Sequence, residues 1–141
     1  MKPYLLDTNV LLALAWPNHV HYGETLAWFQ TKGAAAFRTC PITQTGFVRI
    51  SSNPAFTVHA VQPVDAMALL NRITAFPGHA FWPDDLGLDA LLRFSPLVTH
   101  RQVTDTYLVA LAIEHGGVLA TLDRGIAAFA GRNSASVEVL R

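Results

Sequence analysis

Tyr4-Leu5-Leu6-Asp7-Thr8-Asn9-Val10-Leu11-Leu12-Ala13-Leu14-Ala15 decides the fold of this chain. Three apolar or aromatic residues run into an acid, and an apolar run then resumes without a glycine-rich turn. That order predicts a strand over Tyr4–Leu6, a turn at Asp7 and a short helix from Val10 to Ala15. Asp7 and Asn9 interrupt the apolar stretch, so it is a poor secretory leader despite Lys2 and the small residues near Ala15.

Working outward, the same alternation repeats. A helix is expected from Asn18 to Gln30, closed by Gly33, and then a strand from Ala35 to Cys40, halted by Pro41. Thr43 to Ile50 reads as a helix ending before Asn53-Pro54. Val64 to Phe76 is the clearest helix, because Ala66, Leu69, Leu70 and Ile73 share one face. A third strand is expected at His79–Trp82, and a short helix at Asp84–Leu92 with Asp84 as its cap. Thr104 to His115 is a firm helix with Leu108, Leu111, Ala112 and His115 on one stripe, stopped by Gly116. Val118 to Leu122 reads as a buried strand and Val137 to Leu140 as an edge strand. Strands alternating with helices define an α/β class with a mainly parallel sheet, a three-layer α/β/α sandwich, in one domain over 1–141.

Composition agrees. The chain has 141 residues, 51% hydrophobic and 14% charged, enough apolar material for a core. Its formal net charge is +0, so no global field marks nucleic acid or a membrane surface. The basic residues are nearly all arginine, with Lys2 and Lys32 the exceptions, and arginine suits bidentate phosphate contacts. A single cysteine, Cys40, excludes an internal disulfide and a cysteine-built zinc site, and fits a reducing cytoplasm. No stretch is apolar for long enough to span a membrane.

Three aspartates take equivalent places. Asp7 follows the first strand, Asp105 sits in the first turn of the late helix, and Asp123 follows the last buried strand. In an open parallel sheet, ligands bind beyond the carboxyl ends of the strands, where strand order reverses. Singly, each acid has a plain explanation: Asp7 as a helix cap, Asp105 as a favourable charge at a helix start, Asp123 as an Asx turn. Together they form a cluster that repels itself unless a cation neutralises it. Oxygen donors without Cys or clustered His select Mg²⁺ or Mn²⁺.

These segments resemble the motifs of PIN domains. Leu5-Leu6-Asp7-Thr8-Asn9-Val10-Leu11-Leu12 is similar to their opening motif. Val103-Thr104-Asp105-Thr106-Tyr107-Leu108-Val109-Ala110-Leu111-Ala112 resembles the third, and Gly117-Val118-Leu119-Ala120-Thr121-Leu122-Asp123-Arg124-Gly125 the fourth. Thr39-Cys40-Pro41-Ile42-Thr43-Gln44-Thr45-Gly46-Phe47-Val48-Arg49-Ile50 resembles the VapC-type toxin branch. The resemblance runs in order from about residue 3 to 139. It implies a PIN-like sandwich and a metal-dependent endoribonuclease. Asp7, Asp105 and Asp123 would hold Mg²⁺ or Mn²⁺, and the cut would leave a 5′-phosphate and a 3′-hydroxyl. It also implies a VapB-like antitoxin partner, a homodimer and a cytoplasmic location.

The family's usual fourth acid, a glutamate, is matched in this reading by Gln44, whose carbonyl can touch a water but adds no charge. Weaker metal binding is then expected, and a catalytically silent RNA- or protein-binding module is the alternative. Thr8, Asn9 and Thr121 resemble the small polar residues that orient the acids; capping is the plain reading of Thr8 and Asn9. Arg49 and Arg124 are the candidate RNA phosphate contacts, with surface ion pairing as their plain reading. The six histidines show no metal-ligand spacing. Trp16, Trp28, Phe29, Phe47, Phe76, Phe81 and Trp82 are expected in the core or an interface. A receiver domain is disfavoured because no lysine follows Lys32. A haloacid-dehalogenase phosphatase lacks its second aspartate, and a dinucleotide fold its glycine-rich turn.

Overall fold

The structure, a computed structural model, describes residues 1–93 and 99–141. Five strands form one parallel sheet: β1 (Tyr4–Leu6), β2 (Phe37–Thr39), β3 (His79–Phe81), β4 (Val118–Thr121) and β5 (Val137–Val139). Their order is β3-β2-β1-β4-β5, so the chain lays strands to one side of β1 and then crosses to the other. The switch in direction falls between β1 and β4, where Leu5 pairs with Leu119 and Leu6 with Ala120.

Alternation along the strands divides the core. Leu6 and Ala120 face a cluster containing Val10, Leu11, Trp28, Phe29, Phe47 and Leu70. Those residues belong to α1 (Thr8–Ala15), α2 (Tyr22–Thr31), α3 (Pro41–Ser51) and α4 (Pro63–Thr74). Leu5 and Leu119 face the opposite cluster, with Tyr107, Leu108, Leu111 and Ile126. These come from α5 (Val103–Glu114) and α6 (Arg124–Ala130). Helices thus cover both faces, and β1, between them, is buried at Leu5 and Leu6.

The expected elements recur with shifted bounds. Ala35 lies in a 3₁₀ turn, Gly33–Ala35, so β2 begins at Phe37. Asn18 lies in turns ahead of α2. Pro41 does not merely halt β2; it opens α3, where its missing N–H costs nothing. The helix expected at Asp84–Leu92 is absent: the segment is irregular until a 3₁₀ helix at Leu88–Arg93, and Asp84 caps no helix of its own. α5 is buried from Thr106 to Ala112 rather than along one stripe, because it packs between the sheet and neighbouring elements. Trp28, Phe29, Phe47 and Trp82 are buried as expected, whereas Phe76 and Phe81 stay about half exposed. Among the described residues, no helix is long and apolar enough to cross a membrane.

Candidate active site

β1 and β4 both end at an aspartate. Asp7 leaves β1 as the N-cap of α1, and its buried carboxylate is 6% exposed. Its Oδ1 accepts the Thr8 backbone N–H at 2.8 Å, and its Oδ2 accepts the Thr121 hydroxyl at 2.8 Å. Asp123 caps α6, its Oδ1 accepting the Gly125 N–H at 2.8 Å. The Thr121 hydroxyl also accepts the Asp123 backbone N–H at 3.0 Å, so one side chain ties both strand ends together. Asp105 stands in the first turn of α5.

All three carboxylates line one pocket of about 250 Å³, with Thr8, Asn9, Gly46, Arg49 and Thr104 also in its wall. Their charges interact. Burial raises the Asp7 pKa, hydrogen bonds from Thr121 and Thr8 pull it back, and the charge of Asp123 pushes it up. Burial, then the charges of Asp7 and Asp123, carry Asp105 to about 6. No group of three or more His, Cys, Asp or Glu side chains among the described residues stands ready to hold a metal ion. The acids share a pocket without closing into a cage, and Asp123 Oδ1 is occupied by the Gly125 N–H. The donor set still fits a hard divalent cation: oxygen ligands, one of them buried, whose mutual repulsion such an ion would relieve.

Gln44 does not join the acids. Its Nε2 donates to Thr39 Oγ1 at 2.9 Å, and it lines a separate groove between α3 and α4 with Val48, Pro63 and Met67. The α3 residues that face the pocket are Ile42, Gly46, Arg49 and Ile50. Gln44 lies two residues from Gly46, about 200° around the helix. Gly46 is tightly placed, because a Cβ there would meet Thr8 Oγ1 at 2.9 Å and Cγ2 at 3.0 Å. The expectation that Gln44 stands at the acids is therefore corrected: α3 offers them a glycine and an arginine. Helical spacing from Arg49 back to Gly46 and Ile42 was the available signal. Thr8, Asn9 and Arg49 lie in the pocket wall; Arg124, exposed at the start of α6, does not.

A PIN domain family model matches residues 4–132. Ribonuclease VapC39 of Mycobacterium tuberculosis (strain H37Rv) is 44% identical over 138 residues, 96% of this chain and 98% of that protein. Ribonuclease VapC38 of the same strain is 41% identical over 125 residues, 86% of each chain. Among solved structures, VapBC2 from Rickettsia felis bound to a promoter DNA fragment superposes with a TM-score of 0.65 at 12% identity, covering 98% of both chains. FitAcB from Neisseria gonorrhoeae gives 0.64 at 21% identity, covering 98% of this chain and 96% of that one. At those identities the likeness to the solved structures is one of fold. The chain belongs to the PIN-domain family, and within it to the VapC ribonuclease branch.

Proposed function

We propose that this chain is an endoribonuclease that hydrolyses RNA phosphodiester bonds with Mg²⁺ or Mn²⁺ held by Asp7, Asp105 and Asp123. The observation that carries the reading is the meeting of those carboxylates in one pocket at the switch point of a parallel sheet. Such a cation, when bound, lowers the pKa of an attacking water and neutralises charge on the phosphate oxygens. The protein's own part is to position. Thr121 and the Thr8 N–H fix the Asp7 carboxylate, leaving its remaining lone pairs for the pocket. Thr121 holds the Asp123 backbone in register with it. Arg49, exposed at the pocket wall, would contact a phosphate oxygen. Water adds to phosphorus, the bond to the 3′-oxygen breaks, and that oxygen takes a proton, leaving a 3′-hydroxyl and a 5′-phosphate.

In the cell the chain would act as the toxin of a VapBC-type pair in the cytoplasm, with a VapB-like antitoxin and as a homodimer. Two apolar grooves support protein partners. One is lined by Leu12, Trp16, Val20 and Phe56, with exposed Val58 near it in sequence; the other lies along Val48, Met67 and Leu70. The alternative, a silent RNA- or protein-binding module, draws on α3 presenting no acid to the pocket.

Cleavage of single-stranded RNA separates the two. The wild type is expected to cut with Mg²⁺ or Mn²⁺, to stop with EDTA, and to lose on the order of 100-fold or more in rate as Asp105→Asn. Cutting that persists through chelation and that substitution would refute the mechanism.

A further inference from the structure

The acid pocket does not end at Arg49. It continues into a groove of about 430 Å³ walled by Pro41, Ile42 and Thr45 of α3 and by Asp84 of the loop after β3. The two cavities share Ile42, Gly46, Arg49 and Thr104 and are continuous. Of the residues lining it, only Arg49 is basic and only Asp84 is acidic. Neither forms an ion pair among the described residues. Asp84 is exposed, its carboxylate open to a ligand in the groove.

Resting on the ribonuclease reading above, we propose that this groove holds a nucleobase beside the cut phosphate and that Asp84 reads its edge, favouring cytosine over uracil. An ionised carboxylate only accepts hydrogen bonds. Cytosine presents an N4 amino group to it, whereas uracil presents a carbonyl oxygen at the same place, acceptor against acceptor. Pro41 and Ile42 give the flat face of the base an apolar wall, and Arg49, common to both cavities, spans to the intervening phosphate. Unpaired bases splayed from a single strand are read by such edge contacts. Asp84 is thus a specificity residue, distinct from the three acids that would carry the cation.

The test uses the full chain and a randomised single-stranded RNA pool with Mg²⁺, with the cut ends sequenced. Wild type is expected to use cytosine over uracil by about tenfold at one position flanking the cut, and Asp84→Asn to lose most of that preference. A second arm measures binding of oligocytidine and oligouridine in EDTA, where no strand is cut: wild type binds oligocytidine more tightly and Asp84→Asn levels the two. Circular dichroism establishes that the variant is folded. Cutting with equal use of cytosine and uracil, or an unchanged preference in folded Asp84→Asn, would overturn the assignment of Asp84. No cutting at all, with the binding difference intact, would overturn the ribonuclease reading and leave base reading standing.

Discussion

The Thr121 hydroxyl holds two of the three acids at once, donating to Asp7 Oδ2 and accepting the Asp123 N–H. Thr121→Val keeps the shape and removes both bonds. Asp7 Oδ2 is then buried without a partner, which costs about 1–3 kcal/mol of stability. Urea unfolding measures that loss. Manganese affinity, read by calorimetry, is expected to fall roughly 10- to 100-fold, as it does when residues behind metal ligands are removed. Thr121→Ser should restore most of both. The acids themselves were legible from sequence because each follows a strand or opens a helix, so backbone direction alone aims it at one edge. Gln44 was misplaced because its neighbourhood depends on which face of α3 turns inward. That is set by the close approach of Gly46 to Thr8, a contact between residues far apart in the chain.

At the level of elements, the edge strand β5 is pinned by one side chain. Glu138 Oε2 accepts Trp28 Nε1 at 2.6 Å, and Oε1 accepts the Tyr4 hydroxyl at 3.2 Å and Lys32 Nζ at 3.0 Å. Burial works against its charge, yet these hydrogen bonds and the lysine's charge bring its pKa below the usual range. The exposed lysine pair contributes little by itself, whereas the Trp28 bond joins α2 to β5 across the sheet. Glu138→Ala is expected to cost about 1–3 kcal/mol through the partners it strands. Amide hydrogen exchange should then quicken in β5 well before β1 and β4. Periodicity found α4 because Ala66 and Leu70 share one buried face, and α5 because its apolar run from Thr106 to Ala112 is buried throughout. It failed at Asp84–Leu92, where apolar residues recur at helical spacing but the chain is tied to α5 through Asp85, whose Oδ1 meets His115 Nε2 at 2.9 Å. Propensity says nothing of such a tether.

For the molecule as a whole, the acid pocket makes stability depend on pH. Asp105 keeps its proton to about pH 6 when folded, against an ordinary 3.8 when unfolded. Folding therefore takes up a proton between those values. This group's contribution is fully present below about pH 4 and is lost as pH rises through about 6. Asp7, raised mainly by burial, acts in the same direction. Differential scanning calorimetry in EDTA should show the melting temperature falling over that window, and falling less in Asp105→Asn, where only the Asp7 part remains. A bound divalent cation adds stability by mass action, so Mn²⁺ should raise the wild-type melting temperature at neutral pH and leave Asp105→Asn nearly unmoved.

The central position of β1 carries a consequence for synthesis. Of the five strands β1 leaves the ribosome first, yet its neighbour β4 begins at Val118, more than a hundred residues later. Until then Leu5 lacks its β4 partner Leu119, and Asp7 has neither Thr121 nor Asp123 beside it. Chains terminated before Asp123 therefore carry Asp7, or at most Asp7 and Asp105, and no assembled centre. A protein harmful to its own cell would by this arrangement stay harmless until the last of its three acids is made.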